Sequence, residues 1–199
     1  MVILAIGAHP DDIEFGCYGT LSKWKKNNEI HFILFSAGEL SAPKEERINE
    51  AKKSASLIGA KITVLDYPDG IIPVNAELIS SLRNKIEDIN PDIIFTLFPI
   101  DTHQDHRAVS KITTSSCNHV PKVFFYEVPQ TRSFSPNYFV DVTETFKIKR
   151  KALLCFKTQS NKPYFSLEEI EGLAKYRAYK CFYRKRLFEA FVLYQEIYI

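Results

Sequence analysis

The chain has 199 residues and a formal net charge of +2, with 45% hydrophobic and 25% charged residues, the balance of a folded globular protein rather than a disordered or fibrous one. No apolar run approaches the roughly 18 residues that cross a bilayer, and Met1 leads straight into a strand-like run with no signal-peptide pattern. Cys17, Cys117, Cys155 and Cys181 are widely spaced and form no Cys-x-x-Cys pair, so they read as free thiols of a reducing, cytoplasmic compartment.

Val2 to Ile6 is a continuous apolar run, as expected of a strand buried on both faces of a parallel sheet. His9 to Phe15 reads as the loop after it, and Gly16 to Lys26 as a helix. Ile30 to Phe35 repeats the strand pattern, and a helix follows over Lys44 to Ile58, closing at Gly59. Ile62 to Leu65 is a third strand. Pro68-Asp69-Gly70 has the composition of a turn, and Asn75 is placed to cap a helix running to Asp88. Asp92 to Leu97 is a fourth strand, followed by a helix to about Asn118 and a fifth strand at Lys122 to Tyr126.

This alternation predicts an α/β fold: a doubly wound, mostly parallel, Rossmann-like sheet flanked by helices, with right-handed crossovers. Beyond Tyr126 the pattern changes to a strand at Tyr138 to Val142, helices over Glu144 to Lys157 and Ser166 to Arg186, and a last strand at Phe188 to Tyr194. No repeat or linker divides the chain, so residues 1–199 are expected to form one domain.

From Lys147 to Arg186 there are twelve Lys and Arg against three acids. The plain reading is a solvated pair of basic helices; the sharper one is a surface facing an anionic substrate, nucleotide or membrane lipid. Tyr176, Tyr179, Phe182 and Tyr183 interleave with these cations, but their helical spacing marks a core-facing stripe, and no nucleic-acid partner is expected. The hydrophobic tail from Phe188 to Ile199 offers a surface for a partner subunit in a homo-oligomer.

Two stretches concentrate the chemistry. Ala8-His9-Pro10-Asp11-Asp12 follows the first strand, and His103-Gln104-Asp105-His106 follows the fourth. In open α/β sheets ligands bind beyond the carboxyl ends of the strands, so both loops open on the same edge. A catalytic zinc takes three protein ligands and keeps a position for water. His9 and Asp12 can supply two, and a histidine of the second stretch the third. One of Asp11 and Asp12 can hold metal while the other acts as general base; His103 and His106 can divide between ligand and proton donor. Asp105 can orient an imidazole. Each stretch alone also reads as turn or cap chemistry. No Gly-rich phosphate loop or Gly-x-Ser-x-Gly elbow is present.

At these residues the sequence resembles the LmbE-like (PIG-L) family of zinc-dependent N-deacetylases. The resemblance rests on Ala8-His9-Pro10-Asp11-Asp12-Ile13-Glu14-Phe15-Gly16 with Gly19-Thr20-Leu21, and on His103-Gln104-Asp105-His106-Arg107-Ala108, where Gln104 stands in place of a common proline. Weaker matches are Ser36 to Glu39, Arg47 with Glu50-Ala51, Leu57-Gly59, Lys149, Ala152, Phe156, Thr158-Gln159 and Glu189-Ala190-Phe191. It implies one zinc ion per chain on His9, Asp12 and His106, Asp11 as general base, and a protonated His103 stabilising the oxyanion. It further implies Asp105 holding His103 and Arg47 reaching the substrate pocket; the plain alternative for Arg47 is an exposed helix residue paired with Glu50.

The implied substrate is a small N-acetylated sugar conjugate of the N-acetylglucosamine type. A magnesium-dependent phosphoesterase and a non-catalytic sugar-binding module are the alternatives. Phe134 and Tyr138 are candidates for a sugar-binding wall, with core packing the simpler reading.

Overall fold

The computed structural model describes residues 1–198. Its sheet has seven strands in the order β3-β2-β1-β4-β5-β7-β6. In chain order, β1 is Val2–Gly7, β2 Glu29–Leu34, β3 Lys61–Val64, β4 Ile93–Leu97, β5 Lys122–Tyr126, β6 Tyr138–Asp141 and β7 Phe188–Glu196. The first five run parallel, while β7 lies antiparallel between β5 and β6. Alternate residues of a strand face opposite sides of a sheet, so the unbroken burial of β4 requires cover on both faces.

That cover comes from α1 (Asp12–Gly16), α2 (Tyr18–Trp24), α3 (Lys44–Ser56) and α6 (Phe146–Leu153), which pack together, and from α4 (Ala76–Ile89) paired with α5 (Gln104–Ser116). α7 (Leu167–Lys180) lies against β7. Phe95 of β4 stacks on Phe124 of β5 at 5.1 Å between ring centroids and meets Phe191 of β7 at the same distance. Among the described residues, no helix is long and apolar enough to cross a membrane. The four cysteines are free.

The predicted doubly wound sheet is the one observed, with displaced boundaries. The expected loop from His9 to Phe15 already turns helical at Asp12, because Asp12 Oδ2 accepts from the N–H groups of Ala8 and His9, both at 2.9 Å, and tightens the turn. The expected helix from Gly16 to Lys26 is broken at Cys17, whose φ is −135°. Gly16 itself is pressed against the Tyr126 ring; a Cβ there would lie 2.0 Å from a ring carbon. Asn75 caps α4 as expected, its Oδ1 accepting from Leu78 N at 2.8 Å.

In the last third both helices end early. Expected helix from Ser166 to Arg186 stops at Lys180, and Phe182 and Lys185 take positive φ of 63° and 59°. α7 packs inward through Ala174 and Ala178. The aromatic stripe expected to face the core lies off that face and is exposed: Tyr176 51%, Tyr179 66%, Phe182 94% and Tyr183 58%. Only the first half of the apolar tail is buried in the sheet, through Phe188, Ala190 and Phe191, while Tyr194, Ile197 and Tyr198 are exposed; Ile199 lies outside the described residues.

A buried ion pair ties the two ends of the chain together. Glu189 of β7 accepts from Gly19 N and Thr20 N in the first turn of α2, where unpaired N–H groups favour a carboxylate. Lys149 of α6 donates to Glu189 Oε1 at 2.6 Å and to Phe15 O at 2.7 Å. The pair thus joins Gly19-Thr20, Lys149 and Glu189, three of the stretches on which the resemblance rests. Lys149→Met would strand a buried carboxylate, so unfolding by urea should show a loss of about 3–5 kcal/mol; a change below about 1 kcal/mol would show the pair is dispensable.

Candidate active site

β1 and β4 are neighbours in the sheet, so the loops leaving their carboxyl ends meet. They close a cleft of about 130 Å³ lined by His9, Asp11, Asp12, Arg47, His103 and His106, with Phe15, Gly38, Ser41, Asp69, Gln130, Gln159 and Tyr164 completing it. All the predicted candidates except Asp105 line it; Asp105 sits behind His9.

His9 Nδ1 lies 3.8 Å from Asp12 Oδ2, and His106 Nε2 lies 3.2 Å from Asp12 Oδ1. The far side of each imidazole faces other carboxylates. His9 Nε2 is 3.1 Å from Asp105 Oδ2 and 3.0 Å from Asp69 Oδ1, and His106 Nδ1 is 3.2 Å from Asp101 Oδ2, though not aligned for a good hydrogen bond. Burial opposes charge on both rings, but these carboxylates hold His9 at about 9 and His106 at about 10. Burial also works against an ionised Asp12, yet His106 and His9 keep its pKa below the usual range.

Asp11 is the strained residue of the cleft. It takes φ 104° at the N-terminus of α1, a conformation that non-glycine residues adopt only when their surroundings impose it. Its Oδ2 is buried with no hydrogen-bond partner and lies 3.5 Å from Arg47 Nη2. Burial pushes its carboxyl upward, against the pull of Arg47.

Arg47 is 2% exposed and donates from Nη2 to Pro10 O at 2.5 Å, which overturns the reading of an exposed helix residue. Gly38, at φ +72°, makes room for it: a Cβ there would sit 3.2 Å from the guanidinium.

The second loop departs from its expected roles in two respects. Asp105 does not hold His103 through its carboxylate, which instead accepts from His9 Nε2, from Gly70 N at 2.7 Å and from Ile72 N at 3.1 Å. Only its backbone N–H meets His103, donating to Nδ1 at 3.2 Å. That bond leaves Nε2 to carry the proton of a neutral ring. Burial, His106 and His9 all lower the His103 pKa, so the protonated form implied by the resemblance is disfavoured.

The sequence marks Asp69 only as a turn residue and offers Asp101, just before the second stretch, as a contact for metal-site waters, sugar hydroxyls or only solvent; their contacts with His9 and His106 appear only in the fold. Gln130 and Tyr164 carried no signal at all. Phe134 packs on Phe98 and Arg177, and Tyr138 on Phe124; neither lines the cleft. Arg184, Lys185 and Arg186 line a separate cavity that shares no residue with the cleft.

The donors fit a divalent cation. Ring nitrogens of His9, His103 and His106 lie within 4.8 Å of one another, as do donor atoms of His9, Asp69 and Asp105. Asp12 reaches His9 and His106 through different oxygens. Five carboxylates (Asp11, Asp12, Asp69, Asp101 and Asp105) face three imidazoles and one guanidinium, an excess of negative charge that a cation relieves. Imidazoles backed by carboxylates on their outer nitrogens are the arrangement metal-binding histidines use.

The PIG-L profile, described as GlcNAc-PI de-N-acetylase, matches residues 4–117. The chain belongs to the PIG-L family. The uncharacterized deacetylase YaiS of Escherichia coli K12 is 34% identical over 163 residues, 76% of this chain and 88% of that protein. The diacetylchitobiose deacetylase of Thermococcus kodakarensis is 26% identical over 200 residues, 84% of this chain and 73% of that one. The fold also matches GalB, the 4-carboxy-2-hydroxymuconate hydratase of Pseudomonas putida KT2440. That match has a TM-score of 0.87, 16% identity, and coverage of 100% of this chain and 98% of that one. The same fold therefore occurs with a different reaction, and the chemistry follows from the site rather than from the fold.

Asp105→Asn removes the charged acceptor behind His9. Zinc affinity, measured by competition with a chromogenic chelator, should fall about 10- to 100-fold; unchanged affinity would remove Asp105 from the support of the site.

Proposed function

We propose that this PIG-L chain is a zinc-dependent hydrolase that removes the acetyl group from an N-acetylated amino sugar, an N-acetylglucosamine-type conjugate. The observation that carries the reading is the buried, unpartnered Oδ2 of Asp11 beside the cluster of His9, Asp12 and His106. The deacetylase names of YaiS and the Thermococcus protein support the same reaction.

His9, Asp12 and His106 would hold the cation, and an imidazole-rich set favours zinc over magnesium, which prefers oxygen ligands. When bound, the cation supplies Lewis acidity, bringing the pKa of water in the cleft to about 7 and polarising a carbonyl. Asp11 Oδ2, free of other partners, takes the proton from the attacking water and later delivers it to the departing amine. His103 donates from Nε2 to the amide oxygen as negative charge develops there. Arg47 holds the strained Asp11 turn through Pro10 O and draws the Asp11 carboxyl toward its ionised form.

Gln130, Gln159 and Tyr164 bring the second half of the chain to the same cleft, which supports one catalytic domain. The free thiols suit a reducing, cytoplasmic compartment.

Acetate release from N-acetylglucosamine conjugates, followed by mass spectrometry, tests the reading. Chelation should abolish it and zinc restore it. Asp11→Asn should lower kcat about 10²- to 10⁴-fold with zinc content unchanged. Full activity in that variant would dismiss Asp11 as the base, and a purified protein carrying magnesium without zinc would favour the phosphoesterase. Zinc-loaded wild type that binds the sugar without turnover would favour a binding module.

A further inference from the structure

The exposed aromatics of α7 and the turn after it lie outside the proposed catalytic cleft. Residues 172–186 contain six cations and no acid. Lys175 pairs with Glu171, Arg177 with Glu127 and Arg186 with Asp141, whereas Lys180, Arg184 and Lys185 have no ion-pair partner among the described residues. Phe182 stands at the tip of the turn, 94% exposed, with Tyr179 and Tyr183 on either side of it. Tyr183 is braced against Phe188 of β7, 5.3 Å between ring centroids, so the tip is anchored to the sheet. Beside it, Tyr179, Tyr183, Lys175, Arg184 and Lys185 line an open cavity of about 430 Å³.

We infer that this surface docks the protein on an anionic phospholipid membrane. Unpaired cations meet lipid phosphates at the headgroup level, tyrosines are at home at that depth, and an apolar tip such as Phe182 enters the acyl boundary. Phe182 decides for lipid over nucleic acid, because a fully solvated phenylalanine on a protruding turn gains most where it leaves water altogether. Self-association through this surface is disfavoured, since a two-fold contact would set the unpaired Lys180, Arg184 and Lys185 against their own copies.

The test uses the full chain sedimented with vesicles. It should bind vesicles of equimolar phosphatidylglycerol and phosphatidylcholine, weakly or not at all those of phosphatidylcholine alone, and less as salt is raised. Each cation at an anionic surface is worth roughly fivefold in partitioning, so K180E/R184E/K185E should lower binding on the order of a hundredfold. Phe182→Ser, which leaves the charge unchanged, should lower it about tenfold. All four residues are exposed, and unchanged circular dichroism and melting temperature would show that the fold is kept. The inference fails if wild type ignores phosphatidylglycerol vesicles, or if Phe182→Ser binds them as wild type does. It fails equally if single-stranded DNA is bound more tightly than the vesicles, or if wild type dimerises and K180E/R184E/K185E releases the monomer.

Discussion

The contact between Asp12 and His106, 3.2 Å across the carboxyl edge of the sheet, is what the rest of the site depends on. One oxygen of Asp12 binds the Ala8 and His9 N–H groups and turns the chain out of β1 into α1. The other faces the imidazole delivered by the loop after β4. A single carboxylate thus shapes one loop and meets the other. Leaving a buried carboxylate without partners costs far more than an exposed one, so backbone turn and imidazole hold each other in place.

Around that contact the layers build outward in a consistent way. His9 and His106 each present one nitrogen to Asp12 and the other to carboxylates behind them, Asp105 and Asp69 in one case, Asp101 in the other. Those carboxylates are themselves occupied: Asp105 ties down Gly70 and Ile72, and Asp101 accepts from His103 N and Thr131 Oγ1. The loops after β3, β4 and β5 are therefore fastened to the same imidazoles. Asp11 alone keeps an oxygen free, in a conformation that Arg47 and the Asp12 turn impose on it. Asp11 Oδ2, a buried carboxylate oxygen with no hydrogen-bond partner, is where proton transfer has room to occur.

The C-terminal third shows how a pattern can mislead. Tyr176, Tyr179 and Tyr183 recur at three- and four-residue spacing, which on a helix of average burial means the core. Here the helix packs through Ala174 and Ala178, small residues that carry little weight in a hydrophobic pattern but allow close approach to the sheet. The large aromatics are left outside with the cations, and the positive φ at Phe182 ends the helix before the pattern does. Periodicity finds a face; which face is buried depends on what the rest of the chain brings against it.

From the sequence alone, the strand–helix alternation, the parallel sheet and the two ligand-rich loops could be read, because apolar runs and helix caps are local and the loops follow their strands directly. Membership of the PIG-L family was legible in the same two loops. The carboxylates that hold each histidine, the backbone N–H that meets His103 Nδ1, the burial of Arg47 and the exposure of the aromatic tip were decided only by the tertiary structure. The physical reason is distance along the chain: Asp69 meets His9, Glu189 meets Gly19, and Tyr164 reaches the cleft only once the sheet has brought segments from both ends to one edge.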